Sequence, residues 1–235
     1  FFGGLVMGHA LRRAASQLAS SFSPLTLSGL KGWWDASDTA TITSAATLVS
    51  QITDKSGVGN HLLQSVDANK PKTGTRTQNG LNVLDFDGND LVACDIANIS
   101  QPWTVYVMHA SDNPGSGQYQ FWGQWASGKS TFYIDVDVYR MYGGSAVVAS
   151  SITETSGFRF AAAVFNGASS KGYVDGSTFT GSPGAGACEG VNLGSFSGAV
   201  GLDGVIGEAI LCSAAHDDAT VAQVRTYAQA KWGTA

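Results

Sequence analysis

From residue 31 onward, apolar residues alternate with polar ones in short runs, and Gly, Asn, Asp and Ser interrupt the runs about every ten residues. A strand sends successive side chains to opposite faces, so a period of two with frequent turn signals predicts strands and leaves little room for helices. The runs that read as strands are 48–53, 81–86, 103–110, 119–125, 131–136, 146–152, 158–165, 171–174, 190–194 and 204–212. In 158–165, Phe158, Phe160, Ala162 and Val164 share one face. In 103–110, Trp103, Val105 and Val107 fall on one face and Thr104, Tyr106 and Met108 on the other, so both faces are apolar and the strand reads as central. Short strands without alternating helices predict an all-β fold, an antiparallel two-sheet sandwich or jelly roll. No internal repeat of fixed period is visible.

The two ends depart from this pattern. Residues 1–24 read as an N-terminal arm and residues 25–235 as the jelly-roll domain. Leu11, Ala15, Leu18 and Phe22 recur at helical spacing before Pro24, which predicts a short amphipathic helix within 9–22. Such a helix packs on its own domain or docks on another subunit. The Phe1–Phe2 end favours docking, because two terminal aromatics need a surface to bury them. The arm's anchoring residues are then Phe1, Phe2, Leu5, Leu11, Arg12, Arg13, Leu18 and Phe22. At the other end, Asp217 reads as an N-cap, Val221, Val224, Ala228 and Trp232 as one helix face, and Gly233 as the stop. This C-terminal helix should pack on the sandwich.

Composition narrows the function. With 235 residues, the chain suits one all-β domain with appendages. Thirteen Lys and Arg against eighteen Asp and Glu give a net charge of −5 and no basic stripe, which argues against nucleic acid. No apolar run reaches the ~18 residues of a membrane span. The N-terminus is apolar first and basic second, the reverse of a secretory signal. Cys94, Cys188 and Cys212 are odd in number and widely spaced, so they read as free thiols rather than a zinc site, suited to assembly in a reducing compartment.

Residues 33–43 (WWDASDTATIT), then DKSGVGNH at 54–61 with Gln64, then FDGND at 86–90, together resemble the opening of concanavalin A-like, laminin-G-like jelly-roll domains of bacteriophage and bacterial surface proteins. YVDG at 173–176 and the stretch 202–233 resemble their later strand-turn and their closing strand and terminal helix. The resemblance spans about 29–233 and implies the sandwich fold. Small phage proteins of this kind carry a short Arg-containing tail before the jelly roll, which implies a virion component anchored by its arm. In DKSGVGNH itself, Gly57 and Gly59 allow positive φ, and Asp54 and Asn60 tie the turn; the loop reads as shaping the opening of the sandwich.

Candidate chemistry is sparse. Glycoside hydrolysis needs two carboxyls, one held protonated. Relatives with that activity place Glu, Asp and Glu alternately on one strand, whereas Glu154, Glu189 and Glu208 are far apart here. The nearest match is Asp135 and Asp137, which alternation would place on one strand face. Many lectins of this general fold bind calcium, which makes Asp85, Asp87 and Asp90, with Asn89, the calcium candidates, and Asp35, Asp38 and Asp54 further ones; no complete ligand loop is legible and no other cofactor is expected. His9, His61, His109 and His216 stand beside no nucleophile motif. For carbohydrate, the candidates are Tyr119, Trp122, Trp125, Tyr139 and Tyr142, with Asn113, Gln118, Gln120 and Gln124 nearby; the alternative for these aromatics is packing. Trp33 and Trp34 read as core.

The expectation from sequence is therefore a non-enzymatic bacteriophage structural protein, a head- or tail-attached accessory, decoration or fibre component. It would be assembled in the host cytoplasm, join other virion proteins through its arm, and form a homo-oligomer for which a trimer would suit. The alternatives are a carbohydrate-binding adhesin module for host glycans at a bacterial cell surface, and a glycoside hydrolase, disfavoured by the missing Glu pair.

Overall fold

The computed structural model describes residues 22–115, 118–122 (as backbone), 130–195 and 201–235. Phe1, Phe2, Leu5, Leu11, Arg12, Arg13, Leu18, Trp125, Gln124 and His9 lie outside the described residues. The described strands, in chain order, are β1 (Leu30–Asp35), β2 (Ile42–Ala45), β3 (Leu48–Ile52), β4 (Leu62–Leu63), β5 (Thr77–Gln78), β6 (Leu81–Asn82), β7 (Leu84–Asp87), β8 (Val92–Ile99) and β9 (Trp103–Ser111). They continue with β10 (Gln118–Trp122), β11 (Thr131–Asp135), β12 (Val138–Tyr142), β13 (Val147–Thr153), β14 (Arg159–Phe165), β15 (Ser170–Val174), β16 (Ser177–Gly181), β17 (Cys188–Gly194) and β18 (Asp203–Cys212), followed by the helix α1 (Asp218–Trp232). All pairings are antiparallel. A seven-stranded sheet runs β1-β18-β9-β14-β15-β16, with β7 also on β18. A nine-stranded sheet runs β13-β12-β11-β10-β17-β8-β4-β3-β2, and β5-β6 stand as a small hairpin.

Two cores follow from alternation. Between the sheets, Trp34, Val105, Val107, Ala161 and Ala163 of the seven-stranded sheet meet Ile52, Val92, Phe132, Ile134, Val191 and Leu193 of the nine-stranded one. On the other face of the seven-stranded sheet, Trp33, Tyr106, Met108, Phe160 and Ile210 meet Val221, Val224, Ala228 and Trp232 of α1. Every residue of β9 is buried, as its doubly apolar sequence predicts, because odd and even positions serve different cores. The expected helix also forms as read. The Asp217 carboxylate accepts from the Thr220 amide at 2.8 Å, and Gly233 closes the helix at φ 69° with its N–H on Gln229 O. The free carbonyls of the last turn are met from the β5–β6 hairpin, where Gln78 donates to Trp232 O (2.7 Å) and Asn79 to Lys231 O (2.9 Å).

A carboxylate fixes the helix to the sheet. Glu208 of β18 is 1% exposed and accepts from the indoles of Trp33 (2.6 Å) and Trp232 (2.8 Å), from Tyr227 Oη (2.9 Å) and from Lys231 Nζ (2.9 Å). Burial pushes its carboxyl up, against the pull of Lys231. Lys231 also pairs with Asp35 at 2.8 Å. Burial alone would raise Asp35, but Lys231, Ser37 and Lys55 together hold it below the usual range. Beside Glu208, Gly207 leaves room for the Trp232 ring: a Cβ there would lie 2.9 Å from it.

One expectation is corrected by backbone geometry. Asp135 and Asp137 do not share a strand face, because β11 ends at Asp135 and the chain turns through Val136 (φ 47°) and Asp137 (φ 65°). Two successive positive-φ residues make the tight turn that matches the twist of an antiparallel hairpin. Asp135 instead pairs with Arg140 at 3.2 Å.

Glu208→Ala strips four donors of their acceptor inside the second core. It should cost about 3–5 kcal/mol in urea denaturation, the range for breaking a buried charge pair.

Candidate functional site

The loop 54–61 is built around one buried anion. Asp54 is 6% exposed. Its Oδ1 accepts the amides of Trp33 (2.9 Å) and Ser56 (2.8 Å); its Oδ2 accepts the Ser56 hydroxyl (2.7 Å) and the amides of Gly59 (3.1 Å) and Asn60 (3.0 Å). Converging amides require the chain to curl tightly, and Gly57 (φ 84°) and Gly59 (φ 95°) permit it. His61 Nδ1 accepts the Asp54 amide at 3.0 Å, which leaves the imidazole proton on Nε2. Asn60 joins the loop to β1: its carbonyl accepts the Trp34 indole N–H (2.8 Å) and its Nδ2 donates to Lys31 O (2.7 Å). Lys55 turns away to Asp35 (3.1 Å) and Asp38 (2.8 Å).

Two cavities flank this loop and share Asn60. One, of about 340 Å³, is lined by Gly59, Asn60, His61, Leu63 and, from β8, Ala93, Cys94 and Asp95. The other, of about 510 Å³, is lined by Lys31, Val58, Asn60, the 96–100 stretch and Ser213. Val58 and Leu63 are each 53% exposed, so both cavities have an apolar wall open to solvent. The polar groups are Asp95, the His61 edge, Asn60, Lys31 and Asn98, whose amide is held by Glu189 at 2.9 Å. The Cys94 thiol is pushed up to about 12 by burial, with Asp54 adding to it, so it packs rather than reacts. An open groove with small apolar patches and spaced hydrogen-bonding groups suits a polar ligand that also carries C–H faces.

The residues singled out from sequence distribute as follows. Tyr139 is corrected: it is 1% exposed in the core between the sheets, because its strand position points inward with Met141. Tyr142 is half-buried, and the backbone of Tyr119 lies opposite Gly194. Trp122 lies opposite Asn192 of β17, and Asn192 opposite Ala93 in the groove wall, so that strand runs two places from the groove. Trp33 and Trp34 are core, as read. Of the calcium candidates, Asp85 meets Arg76 (3.3 Å) and Thr75 (3.0 Å), Asp90 accepts the Asp87 amide (3.1 Å), and Asp87 is exposed. No metal-ligating cluster stands among the described residues. Phe22 of the arm packs its ring 5.3 Å from that of Tyr227. His216 bridges Tyr106 Oη (2.6 Å) and Ser28 O (3.0 Å). Lys31, Val58, Leu63, Asp95 and Asn98 were not legible as site residues. The one available signal was the polar pair Asp95 and Asn98 within an otherwise apolar run.

A second, fully enclosed cluster lies in the core near the β11–β12 turn. Tyr139 Oη donates to Glu154 Oε2 and stands 3.3 Å from His109 Nε2. His109 Nδ1 and Glu154 Oε1 face one another at 3.8 Å, both without a hydrogen-bond partner. Glu154 is pushed up to about 7, mainly by burial, and His109 down to about 3 for the same reason.

No protein-family model matches the chain, and no curated protein matches it. Solved structures do. The chain is similar to a Trypanosoma rangeli sialidase in complex with sialic acid, at TM-score 0.62 and 12% identity, over 98% of this chain and 40% of that one. It is also similar to Domain 4 of AbnA, a GH43 extracellular arabinanase from Geobacillus stearothermophilus, in complex with arabinotriose, at TM-score 0.59 and 12% identity, over 86% of this chain and 98% of that one. A GH54 α-L-arabinofuranosidase matches at TM-score 0.56 and 15% identity, over 78% of this chain and 51% of that one. The chain therefore spans about 40% of the sialidase it resembles. At these identities the likeness is one of fold.

These neighbours correct the functional expectation. They are carbohydrate-active enzymes or a domain of one, not virion, decoration or fibre proteins, so the non-enzymatic bacteriophage reading does not stand. That reading rested on motifs that mark the two-sheet body and on an arm whose residues 1–21 lie outside the described ones.

The Glu154 cluster gives folding a pH signature. Glu154 is raised from 4.5, so its contribution is full below 4.5 and lost as pH rises through about 7. His109 is lowered from 6.5, so its contribution is full above 6.5 and lost as pH falls through about 3. Asp90, raised to about 7 by burial and by Asp87, adds to the first trend. Glu154→Gln removes only the Glu154 part. Urea denaturation should show the variant gaining about 1–3 kcal/mol on the parent chain between pH 4 and pH 8. A difference that does not change with pH would contradict the assignment.

Proposed function

We propose that this chain is a carbohydrate-recognising domain of a carbohydrate-active protein, a jelly-roll-like sandwich whose sugar site is the groove between the 54–61 loop and β8. The observation that carries the reading is the pair of neighbouring cavities that share Asn60 as a wall, with exposed apolar walls at Val58 and Leu63 and separated polar groups at Asp95, His61 and Asn98. Sugars present the same alternation of C–H faces and hydroxyls. The likeness to Domain 4 of the arabinanase supports the reading, since that chain is matched over nearly its full length and was solved with arabinotriose.

A second reading, cleavage of a glycosidic bond by this chain, draws on Glu154. Its carboxyl is raised to about 7, the property a general acid needs at neutral pH. Asp137 and Asp175 both act on its charge. Its side chain is fully buried, so a substrate would reach it only if the neighbouring turn moved.

The Asp95 side chain is exposed, and no hydrogen bond or ion pair ties that side chain within the described residues, so Asp95→Ala should leave the fold intact. A charge-assisted hydrogen bond contributes about 1.5–3 kcal/mol. Binding of neutral oligosaccharides, arabinotriose among them, should weaken about tenfold or more in isothermal titration. Unchanged affinity in this variant would remove the groove from the account. Release of reducing sugar that is lost in Glu154→Gln would move it to the second reading.

A further inference from the structure

We infer that the groove is selective for a carboxylate-bearing sugar, seated with its acidic group at Lys31 and its hydroxyl donors at Asp95; this rests on the reading of the groove as a sugar site. The pairing of β1 with β18 slips between Leu30, opposite Cys212, and Gly32, opposite Leu211, so Lys31 is an extra residue in its strand. Such a bulge re-aims the side chain of the inserted residue and takes its backbone groups out of the ladder. Here the Lys31 carbonyl is met instead by Asn60 Nδ2 at 2.7 Å. The same asparagine lines both cavities. The loop therefore supports the bulge, and the bulge places Lys31 in the wall of the larger cavity.

Charge sets the polarity of the groove. Described basic side chains such as Lys55, Arg76, Arg159 and Lys231 each reach a carboxylate. Lys31, like Lys72 and Arg225, has no carboxylate within ion-pair distance among the described residues, although the chain carries five more acidic than basic residues. It is the basic residue lining the larger cavity, while Asp95 is the acidic residue lining the smaller one, across Asn60. A ligand complementary to both carries a negative charge at one end and hydroxyl donors at the other. A uronate or a sialic-type sugar offers that chemistry, and an ammonium at a partly open site recognises either as a point charge.

The test titrates the full chain with trigalacturonate and its fully methyl-esterified form, and with sialyllactose and lactose. The acidic member of at least one pair should bind about five- to tenfold tighter than its neutral counterpart, the scale of one partly exposed ion pair. Raising salt should erase the difference. Lys31→Met should abolish the difference within the pair, so that the variant binds the acid no more tightly than it binds the neutral form. Which pair responds identifies the source of the carboxylate. Equal binding within both pairs, or a preference that survives Lys31→Met, overturns the inference while neutral binding sensitive to Asp95→Ala keeps the groove. No binding of any of these sugars or of arabinotriose overturns both.

Discussion

The buried carboxylate of Asp54 is the interaction on which the groove depends. A loop with two positive-φ glycines loses much backbone entropy on ordering. Five donors converging on one anion offset that loss, because hydrogen bonds to a charge are about twice as strong as neutral ones. One of the five is the Trp33 amide, so the loop is held to β1 as well as closed on itself. The placement of Asn60 follows, and with it the capping of the Lys31 carbonyl and the Trp34 indole. Val58 is then carried outward as an exposed wall. The loop is thus ordered from below by a charge and left free above.

Glu208 plays the corresponding part on the opposite side of β1. Trp33 gives its backbone amide to Asp54 and its indole N–H to Glu208. The groove wall and the helix-covered core are therefore fastened to the same residue. Lys231 and Lys55 link Glu208, Asp35 and Asp38 into one chain of alternating charge at the edge of this core. Each anion in it has a cation within ion-pair distance, which is the condition for tolerating charge where water is scarce.

The sequence was informative where one physical rule dominated. Alternation gave β9, β14, β17 and β18 nearly to the residue, since their burial is decided by side-chain period alone. Capping chemistry gave α1, from Asp217 to Gly233. Strands β1, β2, β4, β5, β8, β12 and β16 escaped, β8 and β12 for identifiable reasons. β8 carries Asp95 and Asn98 on its outer face beside weak strand formers such as Ala93 and Ala97, and β12 begins only after a turn at Val136, where a β-branched residue with positive φ is not expected. The groove was less legible still. Lys31 gains its position from a bulge, and bulges depend on pairing with a distant strand, here β18. Asp95 lines one cavity with His61 only because β4 and the 54–61 loop fold back beside β8. The family resemblance treated the loop as a marker of the sandwich fold and placed the working surface in the arm, and the particle function attached to it did not survive comparison with solved structures.

The most direct test of the account is amide chemical-shift mapping of the isotope-labelled chain during titration with arabinotriose. Saturable shifts should centre on Gly59, Asn60, His61, Ala93 and Asp95 and fade toward the β11–β13 end of the nine-stranded sheet. Saturable shifts confined to that end, or no shifts with any oligosaccharide tried, would contradict a sugar site beside the Asp54 loop.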